Sequence, residues 1–204
     1  EHEKNEIKKF NKLIKEISKN NFMPITIGGK IKKLSQIYAY LKNGADKVSI
    51  NSYAFRNAKF INETAKEFGS QCIVVSIDVK KVNKKYKVFI DNGLTNTNMD
   101  LVDWVNIVQS EGAGEILINS IDRDGSKIGY DFKILDKLKN KIKVPLIFCG
   151  GVGHWRDFGI ALKKKEIDAV AAANIFHHFD QSDYLAKDYL TKNKIKNIRP
   201  PNFF

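Results

Sequence analysis

The apolar run CIVVSID, residues 72–78, ends on a carboxylate, Asp78. At the mouth of a buried strand that group could serve as a general acid or base, or it could cap the segment that follows. A second apolar run, Ile116 to Ile118, leads into acids and glycines: Asp122-Arg123-Asp124-Gly125, then Gly129-Tyr130-Asp131. Two Gly-Gly pairs, Gly28-Gly29 and Gly150-Gly151, each follow a short apolar run and precede an amphipathic stretch. Glycines ahead of a helix leave backbone N–H groups free, and these suit phosphate. Two such stations fit a substrate with a phosphate at each end; the alternative is a pair of tight turns that bind nothing. Asn51-Ser52, Lys80 and Ala173-Asn174 also stand where apolar runs stop.

The elements that must position these groups alternate regularly. Short apolar runs predict strands at Ile25–Ile27, Lys47–Ile50, Ile73–Asp78, Ile116–Asn119, Leu146–Cys149 and Ala169–Ala173. Amphipathic stretches predict helices near 4–18, 33–43, 57–68, 100–110, 132–139, 155–163 and 182–192. The strands carry few polar residues, as parallel strands covered on both faces do, and the alternation predicts an α/β fold. Lys84–Gly93 alternates and ends in Asn-Gly, which reads as a small inserted hairpin. One pattern occurs twice: Pro, apolar strand, Gly-Gly, helix, Asp, second strand, small polar residue. Gly28 precedes Asp46 by 18 residues, and Gly150 precedes Asp168 by 18. Duplication of one βαβ unit, as in a barrel made of two halves, would explain this; the alternative is chance similarity of two βα units, since α/β proteins reuse this grammar.

Composition narrows the partners. The 204 residues carry a net charge of +12, yet only four of the 35 basic residues are arginine (Arg56, Arg123, Arg156 and Arg199). The lysines are spread along helical segments, so a solvated basic surface is expected rather than a nucleic-acid site. No apolar run is long enough to cross a membrane. Cys72 and Cys149 read as reduced residues of a cytoplasmic protein. His154 and His177-His178 lack carboxylate or cysteine companions at ligand spacing, so no metal is expected. Trp104 and Trp155 read as packing residues, and Cys149 as an inert thiol.

GADKVSINS, VVSIDVKK, GAGEILINSIDRDGSKIGYD and CGGVG together resemble the cyclase subunit family of imidazole glycerol phosphate synthase, from about Asn21 to Arg199. The resemblance implies a TIM-type (β/α)8 barrel of two half-barrels and a single domain. It implies an ammonia-accepting lyase/cyclase of histidine biosynthesis, served by a glutaminase subunit and needing no cofactor. The substrate would be a bis-phosphorylated ribonucleotide, and the products imidazole glycerol phosphate and aminoimidazole carboxamide ribotide. Carried over by residue, the resemblance makes Asp78 catalytic. It puts one phosphate on Gly29, Lys30, Asn51 and Ser52, and the other on Asp124, Gly125, Gly151, Ala173 and Asn174. Lys47 and Glu115 would gate ammonia, and Asp46 would face the glutaminase. Asp122 and Asp124 would shape the loop around Gly125, and Asp131 could cap the next helix.

This chain departs from that family in places. Lys30 stands where a third glycine is usual, and Cys149 and Asn174 stand where serines are. The family's first strand, with its other catalytic aspartate, has no counterpart here. An N-terminally incomplete copy, lacking the first βα unit and the second strand, is therefore expected. NNFMPITIGG, AAANIF and NIRPPNFF also resemble a branch associated with surface polysaccharide, where barrel and glutaminase supply ammonia to amidate a nucleotide-linked sugar. That branch is the alternative function. DNA binding, motivated by charge alone, is the third.

Overall fold

The computed structural model describes residues 2–177 and 180–201, apart from the side chains of residues 2–6 and 8. The chain divides into two compact units, one of residues up to 76 with 107–115, the other of residues 77–106 with those from 116 onward.

In the first unit, α1 (His2–Asn20) precedes β1 (Thr26–Gly28), α2 (Leu34–Lys42), β2 (Lys47–Ile50), α3 (Ser52–Arg56) and α4 (Lys59–Phe68). β3 (Ile73–Val82) begins here and continues into the second unit. β1, β2 and the start of β3 pair in parallel, with Thr26 opposite Lys47 and Val48 opposite Ile73. Val48, Ile37, Ile61 and Ile73 are fully buried. Each such side chain contributes roughly 1.5–3 kcal/mol by leaving water. α4 buries Phe60, Ile61 and Thr64 on one stripe. The Thr64 hydroxyl lies 2.9 and 2.8 Å from the Phe60 and Ile61 carbonyl oxygens, so its burial leaves no polar group unmet.

In the second unit, β3 continues antiparallel to β4 (Lys85–Ile90), and β4 pairs with β5 (Thr95–Asp100). α5 (Leu101–Ser110) starts here and ends in the first unit; β6 (Glu115–Ser120), which belongs to the second unit from Ile116, α6 (Lys133–Leu138), β7 (Leu146–Cys149), α7 (Trp155–Leu162), β8 (Ala169–Val170) and α8 (Ser182–Lys192) follow. β6, β7 and β8 pair in parallel, with Ile118 opposite Phe148 and Phe148 opposite Val170. Phe132 stacks on Phe148, and Trp155 on Phe158, which places Trp155 in apolar packing. Trp104 is buried. α7 starts with a capping box: the Asp157 carboxylate accepts from the Gly153 and His154 N–H groups, and His154 Nδ1 accepts from Arg156 N–H.

Strand–helix alternation with a parallel main ladder is the α/β, TIM-type grammar expected from the sequence. Some details differ. β3 runs four residues past Asp78, because it continues directly into a hairpin with a two-residue turn at Asn83-Lys84. Both turn residues have positive φ. Asn92-Gly93 lies instead in the β4–β5 connection, and β5 was not expected. β8 is only two residues long, since Ala171–Ala173 do not extend the ladder.

Candidate functional site

Asp78 lies within β3, opposite Phe89 on β4, and is 8% exposed. It therefore caps no helix. Its Oδ1 accepts a hydrogen bond from Asn119 Nδ2 at 3.1 Å, which holds the carboxylate against the end of β6. Asn119 is opposite Cys149 in the parallel β6–β7 register. Burial, and then the nearby Asp124 carboxylate, push the Cys149 thiol up to about 11. Three pH units below that value only about one thiol in a thousand is ionised, so Cys149 is no nucleophile near neutrality. Iodoacetamide at pH 8 is expected to leave Cys149 largely unmodified. Its labelling rate, read by peptide mass spectrometry, should rise about tenfold per pH unit until pH 11. Complete labelling within minutes at pH 8 would contradict this.

Beside Cys149, one small concavity is lined by Asp124, Gly125, Gly150, Gly151, Ala173 and Asn174, among others. All five residues expected at the second phosphate station are thus gathered in one place. The loop carrying Asp124 and Gly125 is tied at both ends. Near its start, Asp122 Oδ2 accepts from Lys81 N–H at 2.7 Å. At its end, Gly129 N–H donates to the Gly151 carbonyl at 2.7 Å. The Arg123 guanidinium reaches the Ile128 and Gly129 carbonyls at 3.4 Å. Asp131 is buried: it accepts from Tyr86 Oη at 2.7 Å and from Lys133 N–H at 3.3 Å, so it does cap the first turn of α6. Burial, and then this bond to Asp131, raise the Tyr86 phenol well above its ordinary range, so Tyr86 stays a donor.

The first unit holds the other expected station. Gly29 and Lys30 both have positive φ, +109° and +53°. A side chain at Gly29 would meet no described atom within 4 Å, so the turn there is open on that side. Asn51 stands immediately before α3, and Ser52 is its first residue; α3 itself was not expected from the sequence. Lys47 Nζ and Glu115 Oε1 form a part-buried ion pair. Asp46 is exposed, but its carboxylate is engaged: Oδ2 accepts from Ile25 N–H at 2.7 Å, and Asp46 N–H donates to the Ile25 carbonyl. In the second unit Asp168 does the same with Leu146, at 2.8 Å for the carboxylate bond. The repeated aspartate therefore fixes strand register in each βαβ unit.

Asn119 and Tyr86 were not anticipated. The only sequence signal for Asn119 was parity: Leu117 and Asn119 share the half-exposed face of β6, while Ile116, Ile118 and Ser120 are buried. Among the described residues no three His, Cys, Asp or Glu side chains are grouped to hold a metal. His178 lies outside the described residues. Nor is any described helix long and apolar enough to cross a membrane.

A family model described as "Histidine biosynthesis protein" matches residues 2–182. The imidazole glycerol phosphate synthase subunit HisF of Hydrogenobaculum sp. (strain Y04AAS1) is 47% identical over 184 residues, covering 90% of this chain and 73% of that protein. The same subunit of Natranaerobius thermophilus is 42% identical with the same coverage. That of Clostridium botulinum (strain 657) is 42% identical over 182 residues, 88% of this chain and 72% of the relative.

Proposed function

From the premise that the chain belongs to the histidine biosynthesis protein family, with HisF-named relatives, we propose that it is an ammonia-accepting cyclase subunit of the imidazole glycerol phosphate synthase type. In this reading the subunit works as one barrel domain beside a glutaminase. It cleaves and cyclises a bis-phosphorylated ribonucleotide to imidazole glycerol phosphate and aminoimidazole carboxamide ribotide. Asp78 moves the proton. Gly29, Lys30, Asn51 and Ser52 hold one phosphate, and Asp124, Gly125, Gly151, Ala173 and Asn174 the other. Lys47 and Glu115 gate ammonia, and Asp46 faces the partner. The observation that carries the reading is the gathering of Asp124, Gly125, Gly151, Ala173 and Asn174 on one concavity. Two anchored phosphates hold the reacting centre in place, and positioning of that kind supplies much of a rate enhancement.

The test is consumption of the bis-phosphate substrate by the intact gene product with ammonium salt as nitrogen donor. Saturable turnover supports the reading. Absence of turnover, with a co-purified glutaminase still stimulated, would overturn it in favour of sugar amidation.

Lys30 supplies a further prediction. An L-residue in the left-handed region costs roughly 1–2 kcal/mol, part of which a glycine returns as greater unfolded-state freedom. Lys30→Gly is therefore expected to stabilise the fold by about 0.5–1 kcal/mol in urea denaturation. If the ammonium neutralises phosphate, KM for the bis-phosphate rises several-fold in the same variant. An unchanged KM would remove Lys30 from the phosphate site.

A further inference from the structure

Asn119 combines two observations that do not fit a merely structural amide. Its Nδ2 is used on the Asp78 carboxylate at 3.1 Å. Its Oδ1 is buried and has no hydrogen-bond partner among the described residues. An unmet buried acceptor costs stability; an apolar side chain of similar size would remove it, but would also take the donor away from the buried Asp78 carboxylate. The oxygen cannot simply turn towards Asp78, because two acceptors would then face each other. It lies close to Gly150, where an added Cβ would be 3.0 Å from it. The glycine turn that opens the concavity beside Asp124 and Gly125 thus rests on the same amide that grips Asp78.

We infer that Asn119 is a positioning residue for the reaction, which fixes the Asp78 carboxylate in register with the Gly150-Gly151 turn. This rests on the cyclase reading and deepens it. Asn119 transfers no proton. It sets the direction of the Asp78 lone pairs through one N–H donor.

The test is Asn119→Leu in the intact gene product, with kinetics and thermal unfolding measured together. The expected result is a kcat lower by roughly 10–100-fold, the loss of one hydrogen bond to a charged group. KM, set by the two phosphates, should stay within about threefold, and Tm should change little, because loss of the donor to Asp78 opposes removal of the unmet amide oxygen. An amide that served only the fold would give the reverse, a lower Tm with kcat preserved, and that result overturns the inference. A second variant guards against misfolding: in the Asp78→Asn background, Asn119→Leu should lower kcat no further, because the two residues act as one unit. Additive losses would overturn the inference. If wild type itself turns over no bis-phosphate, the cyclase reading fails and this inference with it; an active wild type with an unimpaired Asn119→Leu variant defeats the inference alone.

Discussion

Asp78→Asn is expected to lower kcat by roughly 10²–10⁴-fold, the range for removing a positioned acid or base, with KM for the bis-phosphate little changed. The substitution keeps the size of the side chain. It also keeps an oxygen able to accept from Asn119 Nδ2 across the 3.1 Å contact. Asp78 is 8% exposed and paired within the β3–β4 ladder, so an isosteric amide opens no cavity there. Thermal unfolding of the variant should therefore match wild type, which separates chemistry from folding. The assay is steady-state consumption of the bis-phosphate at saturating ammonium, so that glutaminase coupling plays no part. Activity within a few-fold of wild type would take Asp78 off the proton path and leave it a buried strand carboxylate.

Gly151→Ala is the second large effect. Gly151 has φ of +102°, where an L-residue costs roughly 1–2 kcal/mol. An added methyl would also lie 2.9 Å from Arg123 Cβ and 3.0 Å from the Gly129 carbonyl carbon, and closer still to the Gly129 oxygen. These are backbone and near-backbone atoms of the Asp124–Gly125 loop, so the methyl and the loop cannot both stay where they are. Crowding of this kind adds about 1–3 kcal/mol. The total expected loss is about 2–5 kcal/mol, shared between unfolding free energy and displacement of the loop. KM for the bis-phosphate should rise at least about tenfold as the concavity loses shape. Gly125→Ala provides the contrast. Gly125 also has positive φ, +74°, but an added Cβ meets no described atom within 4 Å, so only the backbone penalty of about 1–2 kcal/mol applies. Equal effects in the two variants would show that crowding against Gly129 is not what the glycine at 151 avoids.

Much of this was legible in the sequence because it is local. β2 and β7 have the bounds read from their apolar runs, Lys47–Ile50 and Leu146–Cys149, and α8 spans 182–192 as read. Glycine stations are visible because a positive φ is a property of one residue. What was not legible depends on partners far along the chain. β3 passes Asp78 because β4 is available to pair with it, and no residue near Asp78 encodes that. β8 stops after two residues because a run of alanines has little to pack on a pleated surface. The Asn119–Asp78 bond joins residues 41 positions apart, and nothing in the composition of either strand announces it.

The two aspartate clamps also bear on how the chain acquires its structure. Asp46 closes on Ile25 across 21 residues and Asp168 on Leu146 across 22, with the same pair of bonds each time. Loop-closure entropy depends on the logarithm of loop length, so the two closures carry nearly the same entropic cost. Each brings together strands that are near in sequence, the kind of contact that forms early. Two seeds with no obligatory order between them are therefore expected. Disabling one clamp, by Asp46→Ala or by Asp168→Ala, should leave the other as a working nucleus, so that refolding slows without stopping.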